Sequence, residues 1–152
     1  MTKKDYIAKY WEAMKAAAAG TKVFPLVILG ASAVESAWGD SELTTTANNF
    51  FGIKSTDSWE AAGGEFVIRR TREVIKGKTV FIDAKFRKYK TPEDCFKNYV
   101  HFISGPRYVK AGVLTSKTPD EQIKAVAAAG YATDPNYAKT IILIMNGVKN
   151  LI

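Results

Sequence analysis

The chain has one cysteine, one histidine and five prolines in 152 residues. With Cys95 alone, no internal disulfide can staple the fold. With His101 alone, there is no Cys/His cluster at metal-ligand spacing, and nothing in the sequence implies a metal or a cofactor. Ser/His/Asp chemistry would have to use His101, yet no nucleophile motif accompanies it, so it reads as structural. Cys95 lies among Phe96, Tyr99 and Phe102 at helical spacing, the setting of a small buried hydrophobe rather than a reactive thiol. Long apolar runs are absent too. The stretch Phe24 to Gly30 is too short to span a bilayer. Met1-Thr2-Lys3-Lys4-Asp5 leads straight into an amphipathic segment, with no apolar signal region or cleavage site. The expectation is a chain made in the cytoplasm without a signal peptide or an integral membrane segment, reaching any extracellular target by release or export. No repeat, linker or low-complexity tail interrupts it, so residues 1–152 read as one domain, expected to be a monomer.

Acidic charge is also scarce: 15 Asp and Glu face 22 Lys and Arg, a formal net charge of +7. This excess favours an anionic partner without choosing among nucleic acid, membrane and wall polymer. Much of it lies between Arg69 and Lys90, a run that reads equally well as a solvated face. No nucleic-acid module or aromatic-basic signature is present, so nucleic acid is not an expected partner. A composition 47% hydrophobic and 24% charged is that of an ordinary globular domain.

The apolar pattern gives helices on either side of a β segment. Tyr6, Ile7, Tyr10, Trp11, Met14 and Ala17/Ala18 recur at three-and-four spacing and predict a helix closed by Gly20. Pro25 suits the first turn of a second helix ending near Gly39. Asp40 to Asn49 reads as a polar loop with a short helical turn. From Glu65 to Asp83, β-branched residues flank Lys76-Gly77-Lys78 and predict a hairpin. Thr91-Pro92-Glu93-Asp94 opens a helix running to about Ser104, Thr118-Pro119-Asp120-Glu121 opens another that ends at Gly130, and Asp134-Pro135 begins the last. The fold class is therefore α+β: a mostly helical body with a small β-hairpin lobe.

Glu35 is the one charge in Val23 to Gly39, otherwise a nearly continuous buried helix. An apolar setting raises a carboxyl pKa, and a helix C-terminus disfavours negative charge. Both effects keep the acid protonated nearer neutral pH, as donating a proton to a leaving-group oxygen requires. A solvated Glu, or one paired with an Arg, is the bland alternative. Glycoside hydrolysis generally uses a second carboxylate. Glu65, Glu73 and Asp83 in the hairpin are the candidates, and strand alternation alone does not say which faces a cleft.

Four blocks carry a resemblance. They are Glu35-Ser36-Ala37-Trp38-Gly39, Asn48-Asn49-Phe50-Phe51-Gly52-Ile53-Lys54, Phe86-Arg87-Lys88-Tyr89, and Gly130-Tyr131-Ala132-Thr133-Asp134-Pro135-Asn136-Tyr137-Ala138. In this order they resemble the signature of glycoside hydrolase family 73, the glucosaminidases of flagellar rod-assembly proteins, autolysins and phage lysins. The resemblance implies a lysozyme-like α+β fold, with a substrate cleft between body and hairpin. It also implies cleavage of the β-1,4 bond between N-acetylglucosamine and N-acetylmuramic acid in peptidoglycan glycan strands. By position, Glu35 matches the general acid, Glu73 the second carboxylate of a Thr-x-Glu motif, and Tyr131 the cleft tyrosine. Valine follows Glu73 where the family often has an aromatic. Trp38, Asn48, Asn49, Phe51, Asp134 and Tyr137 form the expected substrate-binding set: Trp38 and Tyr131 offer ring faces for sugars, the asparagines can orient Glu35 or substrate, and Asp134 reads first as a helix cap. A muramidase or lytic transglycosylase would share the fold and the acid. A non-catalytic wall-binding or phage structural module is the alternative from another class. The setting expected is a phage lysin or an export-linked autolysin.

Overall fold

The computed structural model describes all residues from Met1 to Ile152. Eight α-helices and two strands follow in order, with two short 3-10 turns at Val113–Thr115 and Lys149–Leu151: α1 (Lys3–Ala18), α2 (Pro25–Glu35), α3 (Glu42–Ala47), α4 (Asp57–Ala61), β1 (Glu65–Ile75), β2 (Lys78–Lys88), α5 (Pro92–Phe102), α6 (Pro106–Lys110), α7 (Pro119–Ala128) and α8 (Tyr137–Val148). The α+β layout expected from the sequence is the one observed, with a helical body and a single two-stranded antiparallel sheet.

α2 is the axis of the body. Val27 to Ala33 are all buried, and α1, α5, α7 and α8 pack around the helix. Gly30 lets α8 approach, because a Cβ there would lie 2.7 Å from Met145 Cγ and 2.9 Å from Ile141 Cγ2. One polar contact crosses this core: the Tyr6 hydroxyl donates to Ser32 Oγ at 2.7 Å. The α1 stripe falls where its spacing placed it, with Tyr6, Ile7, Tyr10, Met14, Ala17 and Ala18 buried. Cys95 is fully buried and accepts from the Phe50 amide, and burial pushes its thiol pKa up, so it stays protonated.

Helix starts follow the side-chain caps. Thr91 accepts from the Asp94 amide and Thr118 from the Glu121 amide, each with Pro at the first helical position. Two boundaries differ from expectation. α2 stops at Glu35, four residues before Gly39. The last helix starts at Tyr137, because the Asp134 carboxylate accepts from the Asn136 amide in a turn ahead of it. α4 and α6 are single-turn helices of five residues, too short to leave a periodic signal.

The hairpin turns at Lys76-Gly77, both at positive φ (52° and 76°), the backbone a two-residue I′ turn demands. Its strands pair in register from Glu65↔Lys88 to Ile75↔Lys78, five residues further along β2 than the pattern suggested. Phe86 bridges to Lys54 and joins the ribbon to the loop after α3.

Candidate active site

Glu35 is the last helical residue of α2, and the backbone beyond it reverses sharply. Ala37, Trp38 and Gly39 all take left-handed φ values of 50°, 54° and 84°. Two non-glycine residues in that region cost roughly 1–2 kcal/mol each. The turn is held by the Trp38 amide on Ala33 O (2.9 Å), the Ser41 amide on Ser36 O (3.0 Å) and the Gly39 amide on Ser36 Oγ (2.9 Å). It ends the helix at the carboxylate, which leaves Glu35 exposed at the cleft rather than enclosed in the core as the apolar run suggested.

That cleft has a volume of about 590 Å³. Glu35 stands on it with Phe51, Phe86, Phe102 and Tyr131, while Lys54, Thr56 and Arg107 supply polar edges. The elements meet here from all parts of the chain: α2, the loop before α4, β2, the end of α5, the start of α6 and the turn after α7. Desolvation by these walls raises the Glu35 carboxyl pKa above its ordinary value. No salt bridge or side-chain hydrogen bond offsets it.

Below Glu35 lies an aromatic cluster. Tyr131 stacks on Tyr137 (centroids 5.6 Å, 25°) and meets Tyr99 and Phe102 edge-on at 6.0 and 5.9 Å. Phe51 lies flat on Tyr99 at 3.9 Å and 5°. The Tyr131 hydroxyl points back to the cleft loop and donates to Phe51 O at 3.4 Å. Burial is the main reason the phenol pKa values of Tyr99, Tyr131 and Tyr137 are all raised, and the nearby Glu35 charge adds to each. The three phenols therefore stay protonated. The buried hydroxyls of Tyr99 and Tyr137 have no protein hydrogen-bond partner.

Of the three hairpin carboxylates, Glu73 is the one tied toward the cleft. It accepts from Thr71 Oγ1 (3.2 Å), and its Oε1 lies 4.0 Å from Nζ of Lys54 on the cleft edge. Pairing puts Glu73 opposite Val80, on the same face of the ribbon as the Val67–Phe86 pair whose Phe86 lines the cleft. Glu73 itself is not among the lining residues.

The whole arrangement has counterparts. The family model described as mannosyl-glycoprotein endo-beta-N-acetylglucosaminidase matches residues 11–150. The chain belongs to this glucosaminidase family. It is 32% identical over 151 residues to the peptidoglycan hydrolase FlgJ of Salmonella typhimurium, covering 96% of this chain and 46% of that protein. Over 127 residues it is 38% identical to the exo-glucosaminidase LytG of Bacillus subtilis, covering 81% and 43%. The chain thus spans under half the length of either relative. Its fold superposes on the truncated glycoside hydrolase domain of Salmonella FlgJ with a TM-score of 0.77 at 32% identity, covering 98% and 99% of the two chains. The catalytic domain of the Listeria monocytogenes autolysin Auto gives 0.81 at 25% identity, covering 98% and 85%. The lysozyme-like glycoside hydrolase fold expected from the four blocks is thereby shown.

In this chain the expected binding residues divide into two groups. Phe51 lines the cleft, and Tyr137 supports Tyr131 from beneath. The other four lie away from the cleft wall. Trp38 packs edge-on against Tyr6 (5.5 Å), with the Lys3 ammonium over its ring. Asn48 caps α3 in a left-handed conformation and donates to Tyr89 O and Lys90 O. Asn49 is buried, donating to Ile53 O and Arg87 O while accepting from the Phe51 and Ile53 amides. The two asparagines build the loop that presents Phe51 and Lys54, and they do not touch Glu35. Asp134 is exposed and holds the turn before α8. Sequence reasoning overlooked Phe102 and Arg107 as cleft residues. Both sit at the α5–α6 junction, where Gly105-Pro106 is the only signal that the chain turns inward.

Proposed function

We propose that this chain is an N-acetylglucosaminidase of bacterial peptidoglycan, cleaving the β-1,4 bond between N-acetylglucosamine and N-acetylmuramic acid. The observation that carries the reading is Glu35: a lone carboxyl at the end of a buried helix, its pKa raised by the aromatic walls of an open cleft. FlgJ and LytG, the relatives above, are named for the same class of chemistry.

In this reading protonated Glu35 donates to the glycosidic oxygen as the bond breaks through an oxocarbenium-like transition state. Glu73 is the second carboxylate, activating water or steadying the developing positive charge. Supporting this role, Glu73 shares a ribbon face with Phe86 and lies 4.0 Å from Lys54 at the cleft edge, from which the ribbon can bring it to substrate. Tyr131, protonated and anchored on Phe51 O, presents its hydroxyl edge to the sugar at the cleaved bond. The excess cationic charge, with eight Lys and Arg between residues 65 and 88, suits an anionic wall polymer. The chain acts as a single catalytic domain outside the cytoplasm, as a phage lysin or an export-linked autolysin does.

Digestion of purified peptidoglycan followed by mass spectrometry of the products tests this. New reducing ends on N-acetylglucosamine are expected. New reducing ends on N-acetylmuramic acid mark a muramidase, anhydromuramic products a lytic transglycosylase, and an undigested wall a binding module; each contradicts the proposal.

A further inference from the structure

Arg87 is the only charged side chain among the buried residues, at 9% exposure, and it joins none of the ion pairs. Its Nε donates to Lys54 O (3.1 Å) and its Nη1 to Asn98 Oδ1 (3.0 Å), both neutral acceptors. The Tyr89 hydroxyl donates to the same Asn98 oxygen and holds it in place. Trp59 and Phe102 flank the guanidinium, with ring centroids 4.8 and 5.7 Å from Cζ. A guanidinium has five N–H donors, and Nη2 makes no hydrogen bond to protein. Burying a cation without a counter-charge is unfavourable, and a carboxylate in place of Asn98 would relieve it. The neutral cradle instead leaves the charge available to something else.

A cavity of about 380 Å³ opens beside this group, lined by Arg87, Asn98, Ser58, Trp59, His101 and Phe102 among others. Phe102 also lines the Glu35 cleft, so the two spaces adjoin at one ring. The planar fork of an arginine matches a carboxylate in two-point geometry, and the flanking rings suit the apolar faces of a sugar or a short peptide. We propose that this cavity binds a carboxylate carried by the muramoyl side of the glycan. N-acetylglucosamine has none; a muramoyl unit carries a free lactyl carboxylate or, when that is amide-linked, the carboxylates of its stem peptide. The site thereby fixes which sugar lies on which side of Glu35. This rests on the glucosaminidase reading above.

The test is binding, measured by isothermal titration and by chemical-shift perturbation at the Arg87 and Trp59 side-chain N–H groups. The probes are N-acetylmuramic acid, N-acetylmuramoyl-L-alanyl-D-isoglutamine, the methyl ester of each, and N-acetylglucosamine as control. At least one acid is expected to bind and to shift both side chains, with its ester at least tenfold weaker. Which acid responds distinguishes the lactyl source from the peptide source. Asn98→Asp, nearly isosteric, supplies an internal carboxylate to Arg87 and is expected to weaken the acid by a similar factor while keeping the fold, as a thermal melt reports. Acids and esters binding equally, a folded Asn98→Asp that binds as the parent does, or neither acid perturbing Arg87 at tens of millimolar overturns the site. If Asn98→Asp does not fold, the ester comparison on the unmodified chain decides alone. No probe is cleaved, so these outcomes are independent of whether the chain digests peptidoglycan.

Discussion

The two carboxylates proposed for the chemistry belong to contrasting parts of the molecule. Glu35 ends a helix whose preceding residues from Val27 to Ala33 are buried on every side, with Gly30 pressed against α8. Glu73 rides on a ribbon that leaves Ile68, Val74, Ile75, Phe81 and Ile82 exposed. The base of the ribbon is held by Arg87 in its buried cradle and by the Lys54–Phe86 bridge, and the rest meets the body through ion pairs of Arg69 on Glu42 at 2.9 Å and Lys85 on Glu60 at 3.2 Å. Segments with few buried apolar contacts open at low free-energy cost, whereas core helices open only with the whole domain. The difference teaches a division of labour. In the proposed mechanism the proton donor sits in a fixed environment, on which its pKa depends, and its partner on an element that can adjust to substrate.

Substitutions can break or sharpen this contrast. The largest effect is expected from Glu35→Gln, which keeps the shape and removes the proton. Loss of general-acid catalysis lowers kcat by roughly 10²–10⁴-fold, read from the rate at which a peptidoglycan suspension clears. Glu73→Gln is expected to cost on the order of a hundredfold with the melting temperature little moved, since its one hydrogen bond is only part-buried and its Lys54 contact is 4.0 Å long. Gly30→Ala attacks the body alone: the added methyl meets Met145 and Ile141 and should destabilise by about 1–3 kcal/mol in chemical denaturation. Val74→Thr or Phe81→Thr on the ribbon should stay within about 0.5 kcal/mol. A large stability loss from either ribbon variant would show a packed ribbon and erase the contrast.

The raised Glu35 pKa also has a sign in stability. At a pH well below the ordinary carboxylate value, folded and unfolded chains both carry Glu35 protonated, and the group contributes nothing. As pH rises past that value the unfolded chain ionises first, so the folded state loses stability until Glu35 ionises at its raised pKa. Glu35→Gln removes this penalty. It is expected to melt higher than the parent above that window and equally at its acid end, which a pH series of thermal melts checks.

Much of this was legible in the sequence, for identifiable reasons. The α1 stripe, the Thr-Pro caps of α5 and α7 and the Lys76-Gly77 turn are local signals, and local chemistry decided them. The end of α2 was not legible. Ser36-Ala37-Trp38 has no helix-breaking residue, and the left-handed turn is imposed by hydrogen bonds and by Tyr6 packing against Trp38. The same turn sets Trp38 against Tyr6 of α1 rather than among the residues lining the cleft. Asn48 and Asn49 precede Phe50-Phe51-Gly52 and so read as cleft residues, yet their side-chain amides donate to the backbone of Tyr89, Lys90, Ile53 and Arg87. Phe102 and Arg107 reach the cleft through long-range packing that no spacing rule encodes.

The central claim is that the cleft walls raise the Glu35 carboxyl pKa and so favour its protonated, proton-donating form. Carbon-13 NMR titration of the Glu35 carboxyl, assigned by its loss in Glu35→Gln, tests this most directly when set beside the pH dependence of kcat/KM. The expected result is a Glu35 midpoint above the ordinary carboxylate range, with the alkaline fall in kcat/KM following the same midpoint. A Glu35 that titrates at or below the ordinary value, or an alkaline limb that follows another group, would contradict the account.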